Sequence, residues 1–194
     1  MHQGTNYRYQ SWQPITTTNM TSTNPTTLGT KPPYYGNIAV AAILGNLTAG
    51  TTRVAIIPLT DEMEAAYAVY GSGAFVTPDR IAVINMLQYN HTAIANGSGL
   101  AAPTLRPVGT YAFQLPPACA GTWAGVRRLL ANGSNSISGI TWDGYSYNLE
   151  LAEGMPVLLG NVTRGERTMI GRDGVISVGV EAASVTVLDL ACAV

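Results

Sequence analysis

Between Gly109 and Leu115 the chain alternates, so that Tyr111, Phe113 and Leu115 share one face of an extended segment. A half-buried antiparallel strand needs this pattern, because successive side chains point to opposite sides of the sheet. The pattern recurs along the chain. Ile176, Val178 and Val180 share a face after Asp173-Gly174, and Val185 and Val187 share one in the next run. "TRVAIIPL" is a continuous apolar run bounded by Gly50 and Pro58, and "AAYAVYGSGA" ends in a Gly-Ser-Gly turn. "RIAVINM" follows Pro78-Asp79, "WAGVRRLLANG" closes on Asn-Gly, and "GITWDGYSYNLEL" carries Trp142, Tyr145 and Tyr147. Short strands spaced by Gly, Pro and Asn-Gly predict a mainly β fold, an antiparallel β-sandwich or barrel.

The start of the chain reads differently. Residues 13–33 are a polar Thr/Asn/Pro stretch without periodicity, which predicts a loop. Pro32-Pro33 predicts extended backbone just before "YYGNIAVAAILG". There, Ile38, Ala41 and Ala42 at helical spacing, with Gly45 as a stop, predict a short helix at residues 36–45. Two parts follow: residues 1–46, a loop and helix without a core of their own, and residues 47–194, an all-β domain.

Charged residues make up 11% of the 194, against about 25% in ordinary soluble domains. The formal net charge of −1 leaves no electrostatic footprint for nucleic acid or anionic lipid. No stretch has the roughly 18 uninterrupted apolar residues of a membrane span. Residues 1–15 lack the basic and apolar regions of a signal peptide. The body nevertheless reads as extracellular. Asn-x-Ser/Thr acceptors for N-glycosylation occur at Asn19, Asn46, Asn90, Asn96, Asn132 and Asn161, beside a single Lys. Cys119 and Cys192 would pair in an oxidising compartment, closing a loop of about 70 residues worth about 4 kcal/mol. The competing reading is two buried free thiols in a cytosolic protein. An extracellular body behind a leaderless start suggests the C-terminal part of something larger, or a gene model that begins too late.

Chemistry is sparse. The two His and two Cys match no zinc spacing, no phosphate-cradling glycine loop follows a strand, and no G-x-S-x-G elbow occurs, so no metal or cofactor is expected. Cleaving a sugar bond takes two carboxylates across a cleft. Asp61, Glu62 and Glu64 read as a solvated cluster, and Asp79, Asp143 and Asp173 as turn residues. Glu150 and Glu153 read as flanking a further turn, and Glu166, Glu181 and Asp189 as lying in or beside the last strands. None sits among His and aromatic residues. Arg127-Arg128 reads as strand neighbours on opposite faces, at least one of them in solvent. The dense polar-aromatic cluster is "HQGTNYRYQSW", with His2, Gln3, Tyr7, Arg8, Tyr9 and Trp12. Sugar sites use such side chains, but a loop packing its aromatics against the β-domain would use them too.

Several stretches together carry a resemblance: "HQGTNYRYQSWQP", "KPPYYGNIAVAAILG", "AAYAVYGSGAFVTPDRIAVINM", "GVRRLLANGSNSISGITWDGYSY" and "SVTVLDL". In this order they resemble glycoside hydrolase family 79, the β-glucuronidases and heparanase, and most of all its fungal members. The resemblance implies a (β/α)8 barrel followed by a C-terminal β-sandwich, and cleavage of glucuronides with retention by two barrel glutamates. It places "HQGTNYRYQSW" at the last barrel strand, "YYGNIAVAAIL" at the last barrel helix and both glutamates upstream of this chain. It carries His2 and Tyr9 to residues that contact the glucuronate, and it fits a Cys119–Cys192 disulfide. The expectation is therefore a non-catalytic C-terminal segment of a secreted hydrolase, partnered by the barrel and by a glucuronide or glycan, with apolar surface on sandwich and helix. The alternatives are a carbohydrate-binding module using Trp123, Trp142, Tyr145 and Tyr147, and an adhesive secreted protein.

Overall fold

The computed structural model describes residues 30–47, 50–71, 76–89, 105–134, 136 and 139–192. A helix, α1 (Pro32–Leu44), precedes β1 (Arg53–Ile57), β2 (Glu64–Tyr70), β3 (Arg80–Asn85), β4 (Val108–Gln114) and β5 (Trp123–Leu130). Then come β6 (Thr141–Trp142), β7 (Tyr145–Ser146), the single turn α2 (Leu149–Ala152) and β8 (Val157–Leu158). Last are β9 (Glu166–Met169), β10 (Val175–Glu181) and β11 (Ser184–Leu190).

The strands form two antiparallel layers. The larger runs β1-β2-β3-β11-β5-β6-β7-β8, with β9 paired to the half of β5 that β6 leaves open. The smaller is the ribbon β4–β10. The predicted alternation holds: Tyr111, Phe113 and Leu115 face inward from β4 and its end, and Ile176, Val178 and Val180 from β10, all buried. They close on Ala66, Ile81, Val83, Val126 and Leu188 of the larger sheet to make the main core.

β11 is covered on both faces. Leu188 serves the main core, while Val187 joins Ala82 and Trp142 in a second cluster on the outer face, roofed by Ala39 of α1. The predicted shared face of Val185 and Val187 therefore packs under the helix.

The helix begins earlier than its periodicity suggested. Pro32 and Pro33 occupy its first turn, where a missing N–H costs nothing and the fixed φ suits the helix. Extended backbone falls on Lys31 alone (φ −69°, ψ 145°), the residue that precedes the first ring. Gly45, at φ +68°, ends the helix as expected and returns its N–H to the Ala41 carbonyl at 2.9 Å. The segment around Glu150 and Glu153, expected as a turn, coils into α2 and is closed by Glu153 and Gly154 at positive φ.

Candidate functional site at the helix joint

Two sets of polar contacts fix α1 to the larger sheet. At its start, the Tyr35 hydroxyl accepts the Tyr147 N–H at 2.9 Å and shares a hydrogen bond with Ser146 Oγ at 3.1 Å. Thr30 adds two more: its Oγ1 donates to the Tyr147 carbonyl at 2.5 Å, and its N–H donates to Asn148 Oδ1 at 3.2 Å. The rings of Tyr34, Tyr35 and Tyr147 meet edge to face, with centroids 6.0 to 6.4 Å apart. Burial raises the Tyr147 phenol above its usual pKa, so the ring stays neutral. The hairpin that receives these contacts turns at Asp143-Gly144, both at positive φ, as a two-residue turn with the twist of its strands requires.

At the other end, Arg80 Nη1 donates to the Ile43 carbonyl at 3.3 Å, setting a cation where the helix leaves its last carbonyls unpaired. Arg80 also lies 3.4 Å from Asp189, the carboxylate that Arg127 holds. Arg127 in turn stacks over the Trp142 ring at 5.3 Å. Between the two pinned ends the contact is smooth: Ile38, Ala39, Ala42 and Ile43 rest on the sheet, while Val40 faces outward, 53% exposed.

Several other acids are occupied in the same structural way. Glu64, expected in solvent, accepts the Tyr111 hydroxyl at 2.6 Å. Glu166 receives Arg128 through two hydrogen bonds of 2.8 Å, and these bonds hold its carboxyl below the usual range. Glu181 pairs with Arg106 at 2.9 Å. Asp61 and Asp79 accept backbone N–H groups of Met63 and Gly71. Asp143 is pushed up, chiefly by desolvation. Arg127 and Arg128 do point to opposite faces, but neither stands free in solvent, because each finds a carboxylate on a neighbouring strand. Among the described residues no group of three His, Cys, Asp or Glu could hold a metal.

His2, Tyr9, Asn19, Asn90 and Asn96 lie outside the described residues. Asn46, Asn132 and Asn161 are exposed. Cys119 and Cys192 are joined in a disulfide that ties the 3-10 turn after β4 to the end of β11. Of the four aromatics considered as a sugar platform, Trp123 is 53% exposed, Trp142 is 6% exposed under α1, and Tyr147 packs against Tyr35. They do not form one exposed surface. Sequence reasoning missed Tyr35, Ser146, Arg80 and Asp189 as a set. Their one signal was the pair Tyr34-Tyr35 opening an otherwise aliphatic helix.

An antiparallel sandwich with a helix laid across its larger sheet is the class of fold. Within that class, the chain belongs to the family described as the glycosyl hydrolase family 79 C-terminal beta domain, whose model matches residues 66–187. It is 47% identical over 193 residues to a β-glucuronidase of Aspergillus niger, covering 98% of this chain and 33% of that protein. It is 42% identical to a β-glucuronidase of Neurospora crassa, covering 97% of this chain and 37% of that one. The chain thus spans about a third of the length of these relatives. A solved 4-O-α-L-rhamnosyl-β-D-glucuronidase from Fusarium oxysporum shares the fold, with a TM-score of 0.62 at 20% identity over 84% of this chain and 30% of the other.

Proposed function

We propose that this chain is the supporting, non-catalytic β-domain of a secreted β-glucuronidase-like hydrolase, and that α1 is the joint through which it carries the catalytic barrel. The observation that carries this reading is the disposition of the acids. Glu64, Glu166, Glu181 and Asp189 are each bound to a structural partner within the sandwich, whereas glycoside cleavage needs two carboxyl groups facing a substrate. The match to a third of each fungal relative supports a catalytic partner carried in the remainder. His2 and Tyr9 would form one rim of the glucuronate pocket, completed by that partner. The disulfide and the exposed Asn46, Asn132 and Asn161 support an oxidising, glycan-bearing route.

The test has two arms. The chain alone, given an aryl β-glucuronide, is expected to show no turnover. A chimera in which it replaces the matching third of the Aspergillus niger relative is expected to hydrolyse that substrate. Turnover by the chain alone that disappears when one of its own acids is replaced would overturn the reading.

A further inference from the structure

Gly125 is a glycine that the fold itself does not require. It lies within β5 and is paired on both sides, with Asp189 of β11 and with Arg167 of β9. Both ladders pass it in unbroken register, so it marks no bulge. Its backbone is not left-handed, and a Cβ placed on it would meet the Asp189 side chain at an ordinary 3.7 Å. Alanine would fit there, and glycine inside a strand forfeits stability. With bulge and crowding set aside, the usual reason left for such a glycine is close approach by a ligand.

Its surroundings have the chemistry of a binding site. Ala124 and Val126 enter the main core, so Trp123, Gly125 and Arg127 face the other way. Gly125 is therefore the floor of a dimple on the outer face of the larger sheet. Trp123 and Arg127 stand two residues away along the strand. Arg167 and Asp189 stand on either side of it, about 5 Å across each ladder. Trp123 and Arg167 are exposed, and Gly125 is half-buried. Asp189 is held by Arg127 and Arg80, whereas no described carboxylate pairs with Arg167. The face thus carries three guanidinium groups against one carboxylate.

We propose that this dimple binds an acidic pyranose, with the C–H face of the ring on the Trp123 indole and its carboxylate on Arg167. The missing side chain at Gly125 lets the ring lie against the strand. The indole supplies a flat apolar surface, and the guanidinium supplies a fork of donors that matches a carboxylate. A neutral sugar keeps the stacking and forgoes the ion pair. An acidic peptide keeps the ion pair, but an extended chain does not fill a dimple floored by one glycine. The inference stands on Gly125 and its neighbours and does not rest on the supporting-domain reading.

The experiment follows the Trp123 indole N–H by NMR, assigned with Trp123→Phe, as methyl α-D-glucuronide or methyl α-D-glucoside is added to the chain. The α-anomers are chosen so that a β-glucuronidase does not consume them. The glucuronide is expected to give a saturable shift and to bind about tenfold more tightly than the glucoside, the size of one charge-assisted contact. Arg167→Gln should erase that preference. Gly125→Ala should weaken both sugars without lowering the melting temperature, which a merely structural glycine would not do. Absence of a saturable shift, equal affinity for the two sugars, or unchanged binding by Gly125→Ala overturns the proposal. A shift lost in the double variant His2→Ala, Tyr9→Ala also overturns it, because the ligand then sits at that rim. The active Aspergillus niger chimera should show the same response at Trp123; a response confined to the chain alone overturns the site, since the remainder of the enzyme then covers it.

Discussion

Arg127 takes hold of Asp189 on the neighbouring strand with two hydrogen bonds, Nε at 2.5 Å and Nη2 at 2.6 Å. The same carboxylate serves Arg80, whose guanidinium reaches on to the end of α1. One acid thus links the sheet to its helix. Replacing Asp189 with Asn should leave two part-buried cations underpaired and cost about 2 kcal/mol. Urea unfolding checks this, and a loss below about 0.5 kcal/mol, the size of an exposed pair's contribution, would mean that the two arginines find other partners.

Tyr35→Phe removes the acceptor of a part-buried backbone N–H, that of Tyr147. An unsatisfied buried donor costs about 1–3 kcal/mol, so the variant, whose orphaned donor is part-buried, should lose about 1 kcal/mol of stability. Ser146→Ala, which leaves the Tyr147 N–H paired, should cost less. Equal losses would refute the assignment of the Tyr35 oxygen as the helix anchor.

The Arg128–Glu166 pair sets an acid sensitivity. Its hydrogen bonds lower the folded pKa of Glu166 below its ordinary value of 4.5. Such a group adds stability above its unfolded pKa, and that contribution is lost as pH falls through the lowered folded value. Asp143 shifts the opposite way, so its carboxylate costs stability at neutral pH and this cost disappears on acidification. Glu166→Gln should therefore flatten the decline in stability below pH 4.5, measured as unfolding free energy against pH. An unchanged acid limb would remove Glu166 from the account.

The disulfide joins residues 73 apart in sequence. In the chain-entropy model, reducing it should cost about 4 kcal/mol. Denaturant midpoints with and without reductant measure the loss, and coincident curves would show that the bridge does not constrain the unfolded chain.

Ala183 sits at φ +54° in the turn between β10 and β11. Arg106 steadies that turn by donating to the carbonyls of Ala182 and Ala183, at 2.8 and 3.0 Å. A left-handed conformation costs a residue with a Cβ about 1 kcal/mol, so Ala183→Gly should stabilise by up to about that amount, less the entropy glycine gains when unfolded. Thermal melting reads the sign; a lower melting temperature would show that the entropy term prevails.

The elements that were legible in the sequence are those whose burial is one-sided. β4 and β10 alternate because one face meets the core and the other meets water, and period-two patterning reports that directly. The short strands β6, β7 and β8 were not resolved as separate pieces, since two residues are too few to show a period. The start of α1 was misplaced because proline marks both the residue it pushes into extended backbone and the helical turn that it opens. The joint was the least legible part. Tyr35 and Ser146 are 111 residues apart, and no local rule connects a tyrosine in one element to a serine in another. The ion pairs were hidden for the same reason: a register between β5 and β11 decides that Arg127 meets Asp189.

On the hairpin side, the hinge between Thr30, Tyr35 and Tyr147 is written in main-chain atoms: one carbonyl and one amide, both belonging to residue 147. A change of side chain at that position leaves the carbonyl in place, and leaves the amide too unless the change is to proline. The side chain at residue 147 can therefore change, to anything but proline, without removing either group on which the helix hangs.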